Sequence, residues 1–553
     1  MQNSNSVLKL VPIGGMGNVT KNMFAYEQNN QILLVDCGIG FPDDNMLGID
    51  LLIPDVSYLE NKKQNIVGMI LTHAHDDHIG GLPYILPKLG NFPIYASRLT
   101  QGFAQDRMKE SKITANFKPI TDNPFSVGSF TITPIKVTHS VPDARHFAIK
   151  TQVGTIYHGS DYKFDLNPVD GVMSQIDKIK SIGDQGVLCL LSDCLRSEKK
   201  GHSLSESLIT ETLQKEISGA TGRVIITLMS SNIHRIQQAV DVAIKYHRQV
   251  GFIGRSVENN VKTAMRLGFL KIPHQALVSK KQLKKIPSHK LVIIVAGSQG
   301  QQGSSLERIA SGEHRMFTAT QEDKLIFASD AIPGNENPVY SVIDNFSHLG
   351  ANVSYPDTVD NLHVSGHAYA GEQQQLIELT KPKFLLPIGG TYRHMVQYRK
   401  IAAGLGYQPN QVFLLKEGQT INFTADKASL GETIKIKNIM VDGLGIGDVG
   451  SIVLRDRQTM ANEGIVLVIV PIEQQSGKIT GKTEVISRGF VYMKQSKQLI
   501  FAIQREIKDC LRHQKGKVIN WIGLRKKVET RLENFLYKKT QRRPLVLTVI
   551  MEV

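Results

Sequence analysis

Leu71-Thr72-His73-Ala74-His75-Asp76-Asp77-His78 decides how this 553-residue chain is read. The apolar run Ile66 to Leu71 predicts a buried strand that stops at Thr72. Three histidines and two aspartates then fall between His73 and His78, and Gly80-Gly81 follows. A strand ending in such a cluster delivers imidazoles and a carboxylate to one point on a sheet edge. Neutral imidazole and carboxylate oxygen suit zinc or a similar divalent ion. The spacing H-x-H-x-D-H separates this stretch from a polar loop that is merely rich in histidine.

The pattern resembles the signature of the metallo-β-lactamase fold. Later strands end in the same way. Thr131–Val137 leads into Thr138-His139-Ser140, and Thr155–Tyr157 into His158-Gly159-Ser160-Asp161. Following H-x-H-x-D-H, His139 and Asp161 become candidate ligands. Asp161 is the natural bridge between two ions, because a carboxylate has two oxygens to share. His158 is read as structural or as orienting a neighbour. Asp36 follows the apolar strand Gln31–Val35, where a carboxylate is costly unless hydrogen-bonded. It either orients a metal histidine or stabilises a turn. Upstream, Val7–Ile13 reads as a strand and Gly14-Gly15-Met16-Gly17 as a tight turn.

The length implies several domains, and 41% hydrophobic with 21% charged residues is a globular composition. Met1 to Ser6 are polar and lack the apolar core of a signal peptide. The most apolar runs, Leu291–Ala296 and Ile465–Val470, are strand-length, so a cytoplasmic, non-membrane protein is expected. Cys37, Cys189, Cys194 and Cys510 show no disulfide or C-x-x-C spacing. The net charge of +15 is concentrated late: from Lys497 to Arg543, 14 Lys/Arg face 4 Asp/Glu. A second basic cluster is Lys280-Lys281-x-x-Lys284-Lys285 with Lys290. Either alone reads as a solvated face; together, in a metal hydrolase, they favour a polyanionic substrate.

The middle of the chain alternates strands with helices. Gly186–Leu191 ends at Ser192-Asp193, and a helix follows from about 205 to 217. Arg223–Leu228, Val250–Ile253, Leu291–Ala296, Lys324–Ala328 and Val353–Tyr355 are further strands, the pattern of an inserted parallel α/β domain. Its motifs are Ser231-Asn232-Ile233-His234-Arg235-Ile236-Gln237-Gln238, Gly297-Ser298-Gln299-Gly300, Ile332-Pro333-Gly334-Asn335-Glu336 and His363-Val364-Ser365-Gly366-His367-Ala368. They resemble bacterial ribonuclease J, the β-CASP branch of metallo-β-lactamase-fold nucleases. So do Phe41-Pro42, Leu47-Gly48-Ile49-Asp50, Asp448–Asp456, Ser487-Arg488-Gly489-Phe490-Val491-Tyr492 and Arg542-Arg543-Pro544. The resemblance thus spans nearly the whole chain.

It implies an α/β architecture: a metallo-β-lactamase αββα sandwich (1–206 and 371–446), an inserted β-CASP domain (207–370), a linker (447–463) and a small C-terminal α/β domain (464–553). That last domain is expected to hold strands Gly464–Pro471, Arg488–Met493 and Leu545–Met551. Its helices are expected at about Ser496–Arg512 and Val518–Tyr537, with Ile503, Ile507 and Leu511 as a core or interface face. By resemblance, His73, His75, His139 and Asp161 hold a first divalent ion and Asp77, His78 and Asp161 a second, zinc with manganese or magnesium as alternatives. His367 matches the histidine that acts at the scissile phosphate, and Asp193 the acidic motif of the inserted domain. Ser329, His363, Val364, Ser365, Gly366 and His367 fall where the family binds RNA and its 5′-monophosphate.

The implied activity is metal-dependent cleavage of single-stranded RNA, 5′→3′ and internal, in RNA maturation and decay, with a dimetal-activated water attacking the phosphodiester. The implied assemblies are a homodimer, a homotetramer or a hetero-oligomer with a paralogue. The sequence departs from the family where P-x-H-G would stand: it reads Pro387-Ile388-Gly389-Gly390, so Gly389 takes the place of the last ligand of the second ion. Asn18 and Gln301 also replace usual acids. His394 is the nearest histidine to Gly389 along the chain. A weakened second site is expected, and with it the alternative of a weakly active paralogue that binds RNA or assembles with an active subunit. A small-molecule hydrolase of glyoxalase or lactonase type would share the first motif. It would leave the inserted domain and the basic tail unexplained.

Overall fold

The computed structural model describes residues 6–332, 334–473, 475–476, 478–491, 497–512 and 520–552. Pro333, Tyr492, Met493, Ser496 and Val518 of the motifs and elements above lie outside them, as do Met1–Asn5 of the polar start. The chain forms two units, Met1–Phe41 with Leu51–Ile439, and Pro42–Asp50 with Met440–Val553.

Two sheets build the centre of the first unit. One has eight strands, in the order Ala428–Thr433, Gln419–Phe423, Leu8–Gly14, Met23–Gln28, Gln31–Val35, Ile66–Ile70, Pro93–Ala96 and Asn116–Pro119. The other has six: Phe384–Ile388, Cys189–Asp193, Thr155–His158, Arg145–Lys150, Phe130–Lys136 and Phe125–Val127. Leu10, Phe24, Leu33 and Ile70 of the first sheet share one buried cluster with Phe130, Ile149, Ile156, Leu190 and Leu386 of the second. Alternation along Phe130–Lys136 turns one side of that strand into this core, as the period of a half-buried strand requires. Helices Ala370–Thr380 and Tyr392–Gly404 add Leu376, Ile377, Met395 and Tyr398 to it. Helices Leu82–Leu89 and Arg98–Glu110 bury their own apolar residues beside the first sheet. This is the expected αββα sandwich.

The insertion carries a five-stranded, wholly parallel sheet, ordered Gln249–Ile253, Leu291–Val295, Val224–Thr227, Lys324–Phe327 and Asn352–Ser354. Every residue of Leu291–Val295 is buried, because helices cover both faces of such a sheet.

Some local expectations need correction. Gly14 to Gly17 is not a simple turn: Met16–Gly17 pairs in parallel with Gly390–Thr391, a contact no local pattern announces. The stretch 447–463, read as a linker, holds helix Ser451–Glu463. None of that helix's residues is buried, so its sequence carries no apolar stripe to signal it.

In the second unit, Glu484–Arg488, Ile465–Ile472 and Leu545–Glu552 form a sheet in that order. Strand Glu484–Arg488 ends where the expected strand at 488–493 was to begin, Gly489 takes φ 68°, and 492–493 lie outside the described residues. Helices Lys497–Leu511 and Trp521–Thr540 pack on the sheet through Ile503, Ile507, Leu511, Val528 and Leu532, so the 503/507/511 face is core. Among the described residues no helix is long and apolar enough to cross a membrane.

Candidate metal centre

Parallel register explains why the candidate ligands meet. Thr155–His158, Cys189–Asp193 and Phe384–Ile388 run parallel and adjacent, so Asp161, Asp193 and Gly389 leave one sheet edge together. Ile66–Ile70 runs parallel to Gln31–Val35, which places Asp36 beside the start of the histidine loop. Backbone bonds clamp that loop. Cys37 N–H donates to His78 O (2.7 Å), Ile39 N–H to Asp76 O (3.0 Å) and Asn22 N–H to Asp77 O (3.0 Å). A Cβ on Gly38 would lie 1.6 Å from Asp77 O, so only glycine permits this approach.

Ligand atoms of His73, His75, His139 and Asp161 lie within 4.8 Å of one another, and so do those of Asp77, His78 and Asp161. Asp161 Oδ2 is the common point, 3.5 Å from both His73 Nε2 and His78 Nε2 and 3.9 Å from His139 Nε2.

Hydrogen-bond partners assign the free ring nitrogens. His139 Nδ1 faces Gly366 O at 2.7 Å, His73 Nδ1 faces Thr72 Oγ1 at 3.0 Å and His78 Nδ1 faces Asp36 Oδ2 at 2.7 Å. Each turns Nε2 toward the candidate ion site, and His78 Nε2 also lies 3.1 Å from Asn22 Nδ2. His75 turns Nδ1 inward, 3.2 Å from His73 Nε2 and 3.1 Å from His139 Nε2. Four-coordinate zinc holds its nitrogen ligands about 3.3 Å apart. The donor set therefore fits a divalent ion.

Electrostatics agree for the histidines of the first ligand group. Burial pushes His73 and His139 well below the ordinary histidine range and His75 down to about 3, which keeps these rings neutral. Burial opposes a charge on His78, but Asp161, Asp77 and Asp36 outweigh it and raise its pKa. Burial lifts Asp77 to about 6, with Asp161 adding to the rise. Asp36 settles its own ambiguity. At φ 60° it accepts from Thr72 N–H and Thr72 Oγ1, both at 2.8 Å, and also bonds His78. One carboxylate thus orients His78 directly and His73 through Thr72. His158 bonds Tyr26 Oη at 2.8 Å and joins no candidate ligand group among the described residues.

The insertion reaches the same point. His367 Nδ1 lies 2.7 Å from Asp193 Oδ2, and its Nε2 lies 4.0 Å from Asp161 Oδ2. Ser365 Oγ accepts from His367 N–H at 3.0 Å. A Cβ on Gly366 would meet Ser140 Cβ at 2.9 Å, which explains the glycine next to His139. Ser329 is buried, and its hydroxyl has no hydrogen-bond partner among the described residues.

Behind these loops sits Arg235, a residue that the motif reading did not single out for a role. It is buried, pairs with Glu206 Oε1 at 2.7 Å, and donates to Ala328 O (2.8 Å) and Val364 O (3.3 Å). It also contacts His363 Nδ1 at 2.9 Å. One guanidinium therefore ties the Ser329 loop to the 363–365 loop. Arg235→Met leaves the buried Glu206 carboxylate with only Lys163 Nζ at 3.8 Å and should cost about 3 kcal/mol of stability, read as a lower thermal midpoint. Arg235→Met combined with Glu206→Met should recover part of that loss; no recovery would mean the pair is not what matters.

At Gly389 the backbone has φ 64°, and its N–H donates to Gly15 O at 2.9 Å. A Cβ there would find open space, with Asp193 Oδ1 at 3.8 Å and Asp161 Oδ1 at 3.9 Å as its nearest neighbours. Position 389 thus faces Asp161 and Asp193 and brings no donor side chain of its own. His394 does not substitute: its Nδ1 accepts from Thr391 N–H at 3.2 Å, closing the start of its helix. Asn18 Oδ1 is used locally, accepting from Thr20 N–H at 3.1 Å.

Family comparisons agree with this geometry. The family model described as Ribonuclease J, beta-CASP domain matches residues 221–346. Ribonuclease J C-terminal domain matches 452–553, and Metallo-beta-lactamase superfamily matches 16–152. Ribonuclease J 1 of Streptococcus pyogenes is 35% identical over 543 residues, covering 98% of this chain and 96% of that protein. Ribonuclease J2 of Bacillus subtilis is 33% identical over 550 residues, covering 99% of each. A solved protein of unknown function from Enterococcus faecalis V583 shares the fold, with a TM-score of 0.52 at 15% identity, covering 75% of this chain and 100% of that one. With relatives matched from end to end and a His/Asp cluster assembled at its sheet edge, this chain belongs to the ribonuclease J family.

Proposed function

We propose that the chain is a metal-dependent ribonuclease that cleaves single-stranded RNA, from the 5′ end and internally, in cytoplasmic RNA maturation and decay. The observation that carries this reading is the convergence of His73, His75, Asp77, His78 and His139 on Asp161, with His367 of the insertion beside them. In this reading 1–206 and 371–446 supply the hydrolytic sandwich, 207–370 grips RNA, and 464–553 serves assembly as a homodimer, homotetramer or hetero-oligomer.

When bound, two divalent cations, zinc or manganese, supply a nucleophilic water and neutralise the scissile phosphate. The chain's own residues do the rest. Asp36 and Thr72 fix the imidazoles. His367, held by Asp193, is pushed up to about 9, because the two carboxylates Asp193 and Asp161 outweigh its burial. It therefore carries a proton at neutral pH and can give it to the leaving oxygen. The Ser329 and Ser365 hydroxyls, with backbone N–H groups of 364–366, recognise a terminal phosphate without reading a base. The test is digestion of 5′-monophosphorylated and 5′-triphosphorylated RNA by the same preparation, with metal content measured on it. Faster loss of the monophosphate is expected; equal rates would remove the pocket from the proposal.

Gly389 favours a second reading, a weakly active subunit that works chiefly as partner to an active paralogue. Gly389→His separates the two. Its left-handed backbone costs the new side chain about 1 kcal/mol, and a regained ligand would exceed that. We expect higher occupancy of the second ion and faster cleavage. Unchanged occupancy and rate would show that the missing ligand does not limit this chain.

A further inference from the structure

Helix Lys497–Leu511 has two unlike faces. Ile503, Ile507 and Leu511 are buried in the core of the second unit. On a solvent-exposed flank of the helix Lys497, Phe501, Arg505 and Lys508, with Arg512 just past its end, follow at steps of three or four residues, which lines them up. All five are exposed, Phe501 to 69%. Among the described residues, no acidic side chain forms an ion pair with Arg505, Lys508 or Arg512. Of the helix's two acids, Glu506 is taken by Arg531 at 2.8 Å. Asp509 lies beside the line without pairing to it.

A row of unneutralised cations with a bare aromatic ring among them has the two components of a single-strand nucleic-acid surface: charge that follows phosphates, and a plane on which a base stacks. An anionic membrane would call for a broad apolar face, and this line has one apolar side chain. We propose that the Phe501–Arg512 line is a second RNA-contact surface, additional to the metal centre, with phosphates on Arg505, Lys508 and Arg512 and a base on Phe501. The proposal rests on the reading of the chain as a protein that acts on RNA, and it adds a grip on nucleotides beyond the residues of the metal centre.

The experiment uses the full chain in EDTA, so that binding is read without cleavage. Fluorescence anisotropy compares labelled oligouridylate of about 30 nucleotides with one of about 6 nucleotides. Arg505→Glu/Lys508→Glu/Arg512→Glu should weaken binding of the long RNA by about tenfold or more and reduce the slope of log affinity against log salt by about 2. Phe501→Ala should weaken it by about fivefold or more at unchanged salt slope. Metal-loaded cleavage of the short RNA should be unaffected by either change. Should the charge-reversed chain misfold, Arg505→Gln/Lys508→Gln/Arg512→Gln takes its place, with the same direction expected. Unchanged affinity and slope would overturn the proposal while leaving the ribonuclease reading intact. Loss of binding to phosphatidylglycerol vesicles or polyglutamate, with RNA affinity kept, would overturn it in favour of a membrane or an acidic protein. A wild-type chain that neither binds nor cleaves RNA would end both readings.

Discussion

Replacing Asp161 with alanine should strip the chain of both candidate ions and lower RNA cleavage by about a thousandfold or more, the scale of the charge stabilisation that bound metal supplies. Asp161 earns this weight by position. It alone belongs to every candidate ligand group found among the described residues, and its Oδ2 lies within 3.5 to 4.0 Å of four imidazole nitrogens. A single ligand such as His75 belongs to one group only. Losing His75 should therefore spare the second ion, whereas losing Asp161 should not. Metal content measured on gel-filtered protein, beside its thermal midpoint, distinguishes a lost site from a lost fold. A folded Asp161→Ala protein with full metal content and wild-type cleavage would refute the assignment.

Loss of His367 should be nearly as costly and should look different. His367→Ala removes a proton donor, worth about 10²–10⁴-fold in rate, while His73, His75, Asp77, His78 and His139 stay in place around Asp161. Metal content should therefore hold as activity falls. The pH dependence gives a sharper test. Asp193 and Asp161 raise His367 to about 9 against the penalty of burial, from an ordinary value of 6.5. A raised folded-state pKa means that the stability gained from the charged ring is fully present below 6.5 and is lost as pH rises through about 9. Cleavage that needs this proton should decline over the same window. Bound cations repel the proton, so the alkaline limb should fall below 9 and not above it. Asp193→Asn removes the closest carboxylate and should shift that limb further toward 6.5. An unmoved limb in Asp193→Asn would mean that another group delivers the proton.

The sequence by itself determined what is local or periodic in this protein. His73 to His78 sit within one turn and one short helix, so their closeness needs no folding argument. Strand ends at His139, Asp161 and Asp193, the parallel insertion, and the basic late segment were all legible from apolar runs and charge. Gly389 stood out as a departure only beside the family's P-x-H-G pattern, which the resemblance supplied. Tertiary structure decided everything that depends on partners distant along the chain. Asp36 reads alone as either a turn or an orienting group; only its bonds to Thr72 and His78 choose. Arg235 looks like one cation in a helix until it is found buried between Glu206, Ala328 and Val364. The short pairing of Met16–Gly17 with Gly390–Thr391 and the helix Ser451–Glu463 were hidden for the matching reason, since neither has a repeating apolar pattern. Which nitrogen of each histidine faces inward is likewise a tertiary property, because an imidazole takes its orientation from the hydrogen bond on its far side. Periodicity records which face of an element is dry, whereas the bonds that aim a buried polar group are made only when separate strands close on one another.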